Sequence, residues 1–157
     1  TIRIHDTMTA IADIYDAIVL KLGTNLPTFK RIPNPYSLDE NTALLLRKGY
    51  GIAIGAGTNT ERYVGCLVTW QRDYTIGIVT QVVNTENDTL GRAEIEKDLI
   101  DAHDLVLKSF ETDPSLGGKC IKAVITDDSG IEYISGDKGR YLALELTLRV
   151  EYQETST

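Results

Sequence analysis

From Tyr141 to Tyr152 the chain alternates strictly. Leu142, Leu144, Leu146, Leu148, Val150 and Tyr152 fall on one side, and Ala143, Glu145, Thr147, Arg149 and Glu151 follow Tyr141 on the other. A period of two is a β-strand with one buried face, and at about 3.3 Å per residue this one reaches roughly 40 Å. A different period governs the start of the chain, where Met8, Ile11, Ala12, Tyr15, Ile18, Val19 and Leu22 recur at steps of three and four. That spacing predicts a helix, with Asp6 or Thr7 to cap it and Gly23 to stop it. Ile95, Leu99, Ala102, Val106 and Phe110, with Leu105 beside them, predict a second helix from Thr89 to Phe110, ended by Asp113, Pro114 and the pair Gly117 and Gly118.

Between these elements, Thr24 to Ser37 holds Pro27, Pro33 and Pro35, which predicts an extended arm with at most a short edge strand around Thr28 to Ile32. The segment Ser37 to Lys48 is left open as a helical turn or two. Tyr50–Ala56, Tyr63–Trp70 and Tyr74–Val83 read as three antiparallel strands, with a polar tip at Gly57 to Arg62. Cys120–Thr126 reads as a further strand, Asp127–Gly130 as a turn and Ile131–Ile134 as a short segment. The expected fold is α+β, in one domain over residues 1–157: a mixed, mostly antiparallel sheet, two main helices packed on one face, an extended arm (24–37) and a hairpin. The other face must meet water or another subunit. Residues 153–157 are expected to fray.

The 157 residues suffice for one domain that buries about two thirds of the surface exposed on unfolding. Apolar residues make up 42% and charged residues 25%, an ordinary globular balance. With 16 basic and 23 acidic side chains the net charge is -7, so the average surface repels a nucleic-acid duplex. Cys66 and Cys120 both lie in apolar runs, where a small buried hydrophobe is the commoner role and no disulfide framework is indicated. The opening residues suggest neither a leader peptide nor a membrane span, which predicts a cytoplasmic protein; the acceptor pattern Asn87-Asp88-Thr89 then has no consequence.

Candidate chemistry is sparse. Asp128-Ser129-Gly130 after an apolar run is the triplet of an aspartic protease, yet too little chain follows to build a cleft, and a hairpin turn is the plainer reading. Gly49, Gly51, Gly55 and Gly57 have neither dinucleotide-binding nor phosphate-loop spacing; on alternate strand positions they suit close approach by another backbone. His5 and His103 have no Cys or His at ligand spacing, and Asp98 to Asp104 reads as a solvated helix face. The expectation is no enzyme, no metal and no cofactor. The aromatics suggest more. Tyr36, Tyr50, Tyr63, Trp70 and Tyr74 lie in or beside the arm and the hairpins, where Tyr and Trp favour surfaces buried by a partner, although core or strand-surface packing is somewhat commoner for each singly. Together with Pro33, Pro35, Gly51 and Gly55 they form the candidate interface.

The order of elements, the proline-rich arm after the first helix, the segment Arg47-Lys48-Gly49-Tyr50-Gly51-Ile52-Ala53-Ile54-Gly55 and the closing Tyr141–Tyr152 strand resemble the tail terminator, or tail-completion, proteins of long-tailed bacteriophages. The resemblance implies a structural virion protein, a homohexameric ring on the head-proximal end of the tail tube that ends tube polymerisation and presents a surface for head–tail joining. It implies as partners further copies of the chain, the tail tube protein and a head-completion or neck protein. DNA would only pass through the lumen, no membrane would be involved, and assembly would take place in the host cytoplasm. Tail tube and neck (head–tail connector) proteins are the nearest alternatives, and a small ligand-binding α+β domain is one from another class.

Overall fold

The computed structural model describes residues 10–32, 48–62, 67–82, 89–136 and 139–155. Helix α1 spans Ala10–Asn25, strand β1 Lys30–Arg31, β2 Lys48–Arg62 and β3 Leu67–Gln81; helix α2 spans Thr89–Thr112, and β4 Lys122–Asp128, β5 Glu132–Gly136 and β6 Gly139–Thr155 follow. The fold is α+β, with a six-stranded sheet in the order β1-β2-β3-β6-β4 and β5 also paired with β6. Only the β1–β2 pair is parallel.

The alternation in the last strand places its even residues inward. Leu142, Leu144, Leu146, Leu148, Val150 and Tyr152 form one core with Tyr74, Ile76 and Ile78 of β3, Tyr50 and Ile52 of β2, and the helix stripes Ile14, Ile18, Leu22 and Leu99, Ala102, Val106, Phe110. Both helices therefore cover the same face. Leu105, expected beside the second stripe, instead stands out into solvent. Lys21 ties the helices together: its Nζ donates to the Ser109 carbonyl (3.0 Å) and to Asp113 Oδ2 (3.2 Å), above the Phe110 ring. A cation at the carbonyl end of α2 also complements that helix's dipole.

Four boundaries differ from the sequence reading. Helix α1 runs through Gly23 to Asn25, because Thr24 and Asn25 side chains bond back to the Leu20 and Lys21 carbonyls (both 2.8 Å). A Cβ on Gly23 would lie 3.3 Å from the Tyr50 hydroxyl, a tight approach that glycine relieves. The three expected strands after the arm are two. Arg72 and Asp73 do not break β3, since they point to opposite faces, and Gly57–Arg62 remains strand because two bulges in β2, between Ile54 and Gly57 and between Asn59 and Glu61, absorb its irregularity. Gln153, Glu154 and Thr155 are not a frayed tail but pair with Thr69, Val68 and Leu67.

The fourth concerns Asp127–Gly130. β4 pairs with the later half of β6 and β5 with its first residues, on the same side, so the two are halves of one sheet edge. The segment between them is an offset within that edge rather than a hairpin. Its chemistry is the expected one: Asp128 Oδ1 accepts from the Gly130 N–H (2.9 Å), Gly130 has φ 71°, and Ser129 Oγ accepts from the Glu145 N–H (3.0 Å). The expected short edge strand of the arm is present as β1, and Leu26, Phe29 and Ile32 bury their side chains on the body of the subunit. The open segment 37–48 and the caps Asp6 and Thr7 fall outside the described residues except for Lys48.

Candidate assembly surface

The face of the sheet turned away from the helices is built from the odd-numbered half of the alternation. On β6 it presents Glu145, Thr147, Arg149 and Glu151; opposite them on β3 lie Gly77, Thr75, Asp73 and Gln71; and beyond, on β2, lie Gly51 and Ala53. Arg149 donates from Nε and Nη2 to the two carboxylate oxygens of Asp73 (3.0 and 3.4 Å), a forked pair across adjacent strands. Asp73 in turn raises the basicity of Arg149 further. Beside this pair, Gln71, Lys122, Val124, Thr126, Arg149 and Glu151 line a shallow groove of about 190 Å³. Among the described residues, one end of the face is closed. There Ile32, Val79 and Ala143 form a second small apolar cluster, with Tyr141 also buried. A Cβ on Gly49 would lie 3.1 Å from Ile32 Cγ2, so glycine is what lets the arm fold over this corner.

The expected interface residues divide between the two faces. Gly51 belongs to the open one, while Gly55 lies in the bulge of β2 between Ile54 and Gly57. The close approach expected of Gly55 is real, but it comes from within the subunit: a Cβ would sit 2.6 Å from the Asp73 carbonyl oxygen. Arg72 completes this corner, donating from Nη1 to the Gly55 carbonyl (3.0 Å) and from Nε to the Tyr152 hydroxyl (3.2 Å). Tyr50 and Tyr74 are committed to the core, 5% and 0% exposed, and Trp70 packs partly buried against the same core. Tyr50 and Tyr74 thus pack in the core, while Trp70 keeps part of its surface open. Burial pushes the Tyr74 hydroxyl up to about 12, and its oxygen has no hydrogen-bond partner among the described residues. Pro33, Pro35, Tyr36 and Tyr63 lie outside the described residues.

Elsewhere the chemistry is committed to structure. A groove of about 580 Å³ runs between α1 and the loop after α2, but Lys21 and Asp113 at its wall are spent on each other. The Gly117 N–H, with Lys21, holds the Asp113 carboxyl below the usual range. Cys120 is a half-buried thiol, pushed up to about 11 by burial, which makes it a poor nucleophile. The fold brings His103 Nε2 to 3.6 Å from Asp128 Oδ2, while Nδ1 lies 3.2 Å from Asp104 Oδ1. Asp128 is distant in sequence, and no local signal marks it. Among the described residues no group of three or more His, Cys, Asp and Glu is placed to hold a metal ion, and no helix is long and apolar enough to cross a membrane.

No protein-family model matches the chain, and no curated protein matches it.

Proposed function

We propose that this chain is a structural protein of a long-tailed bacteriophage, whose copies form a ring capping the head-proximal end of the tail tube. The ring ends tube polymerisation and offers the surface to which the head or neck attaches. One observation carries the reading: among the described residues, a six-stranded sheet is covered by helices on one face only, the other bearing glycines, threonines and a forked Asp73–Arg149 pair. A flat face of small and paired polar residues suits contact with a protein surface, and among the described residues it brings together no convergent nucleophile, base or ligand set.

Identical subunits joined head to tail close into a ring when the rotation between them allows. In this reading the partners are further copies of the chain, the tail tube protein and a head-completion or neck protein, in the virion tail after assembly in the host cytoplasm. A net charge of -7 suits a lumen through which DNA slides without sticking. No turnover, cofactor or membrane is involved.

Light scattering coupled to size-exclusion chromatography over a wide concentration range, with negative-stain images of each peak, tests this. Hexameric rings are expected. Long tubes would assign the chain to the tube itself, and a monomer at every concentration would remove the ring from the account.

A further inference from the structure

Distant stretches of the chain meet where His103 of α2 faces Asp128, the last residue of β4, with Nε2 3.6 Å from Asp128 Oδ2. That gap is too long for a hydrogen bond, which needs about 2.7–3.2 Å between nitrogen and oxygen. The other ring nitrogen is nearer to a carboxylate, Nδ1 lying 3.2 Å from Asp104 Oδ1. An ionised carboxylate can only accept, so the neutral ring keeps its single N–H on Nδ1, donated to Asp104, and Nε2 is left with a bare lone pair. Nε2 and Asp128 Oδ2 are then two electron-rich atoms facing each other with no hydrogen between them. A cation between them resolves that contact.

Both groups are held from behind. Asp128 Oδ1 accepts from the Gly130 N–H (2.9 Å), which leaves Oδ2 for His103. Ser129, between them, is tied to Glu145 of β6: its N–H donates to the Glu145 carbonyl (2.9 Å) and its Oγ accepts from the Glu145 N–H (3.0 Å). The aim of Asp128 comes from an irregularity in β4. Ile125 pairs with Leu148 but Asp127 pairs with Thr147, a slip of one residue that sets Asp128 opposite Leu146. Leu146 faces the helices, so Asp128 does too; in unbroken register that place would fall to Asp127. His103 stands on the flank of α2, beside buried Ala102 and one turn from Leu99 and Val106.

We propose that His103 Nε2 and Asp128 Oδ2 bind a divalent transition-metal ion of the zinc type, which staples α2 to the end of β4; the site goes beyond the assembly reading and does not depend on it. Bonds of about 2.0–2.1 Å to each atom, across a separation of 3.6 Å, subtend an angle of about 120° at the metal. That is near the tetrahedral value and far from the right angle that octahedral magnesium demands. An imidazole with a carboxylate is a zinc-type donor set, whereas magnesium and calcium take oxygen. The Nδ1–H bond to Asp104 is the second hydrogen bond that a metal-binding histidine ordinarily makes, and it fixes the tautomer and the ring plane. The side chains of His103 and Asp128 are 24% and 49% exposed, so water reaches the site and completes the coordination. With two protein ligands the site is open and weaker than a structural site with four.

The test titrates ZnCl2 into the full chain with Cys66 and Cys120 replaced by alanine, so that thiols do not compete, and follows binding by isothermal calorimetry at about pH 7.5. A parallel titration with CoCl2 reads the visible absorption of the bound ion. One ion per chain is expected, and MgCl2 is expected to give no heat. His103→Gln and Asp128→Asn are each expected to stay folded by circular dichroism and to weaken binding at least about tenfold. Asp104→Asn, a positioning change that keeps an acceptor for the Nδ1–H, is expected to weaken it less, and His5→Gln to leave it unchanged. Zinc should also raise the urea midpoint of the parent chain and leave that of Asp128→Asn unmoved. No saturable binding up to about 1 mM zinc would overturn the proposal. So would binding that survives either His103→Gln or Asp128→Asn, or that disappears with His5→Gln.

Discussion

The two faces of β6 share one backbone and the same ladders to β3 and β4, yet they differ completely in what they touch. Leu146 and Leu148 are fully buried under the helices, whereas Thr147, between them, and Arg149, next along, look outward. At about 25 cal/mol per Å² of apolar surface removed from water, nearly all the hydrophobic stabilisation comes from the covered side. The open side is therefore nearly free of the demands of folding. It can carry residues chosen for contact with something else, except where Gly49 and Gly55 serve the subunit's own close packing.

Gly55 is the position where that division should fail most severely. Gly55→Val forces a branched side chain against the Asp73 carbonyl, and the β2–β3 ladder is expected not to close, leaving no cooperative transition in chemical denaturation. A cooperative transition would show that the bulge can shift to accept it. Next in size is the neighbouring pair on β6. Leu146→Ala should cost about 2–5 kcal/mol by urea denaturation, while Thr147→Ala stays within about 0.5 kcal/mol. Similar losses would mean that the open face carries stability after all.

A smaller effect, of opposite sign, is expected at Tyr74. Its buried hydroxyl lacks a partner, so Tyr74→Phe should be neutral or stabilise by about 1 kcal/mol. Because the folded-state value is about 12 against 10 when unfolded, the unfolded chain releases this proton first. The contribution is intact below pH 10 and is lost as pH rises toward 12, a loss that Tyr74→Phe should remove from denaturation curves taken across that range. The smallest change belongs to Arg149→Ala. An exposed ion pair contributes little to a fold, so the denaturation midpoint should not move measurably, whereas ring formation should weaken if the open face is used in assembly.

Periodicity made the covered half of this molecule legible. The even residues of the last strand and the stripe Leu99, Ala102, Val106, Phe110 were readable because burial imposes a regular spacing on both. The limits of β2 and β3 were not, since a polar, glycine-bearing run looks the same in a loop as in a strand whose bulges absorb it. Tyr50 and Tyr74 illustrate another limit: an aromatic suits core and interface equally, and only the register decides which face it takes. The proximity of His103 to Asp128, and the union of β4 with β5 into one edge, arise from tertiary arrangement and leave no local pattern.

The central position of β6 also governs when the fold can form. Its β5 and β4 partners are near in sequence, but its β3 partners are distant, Leu67 with Thr155 and Gln81 with Tyr141, so the β3–β6 join at the middle of the sheet is the last part made. The β2–β3 hairpin can zip early, but both helices wait for the surface they cover, and chain closure over such separations is slow. A chain emerging from the ribosome would thus hold its apolar stripes uncovered until β6 has been made. That delay makes early aggregation the main competitor of folding.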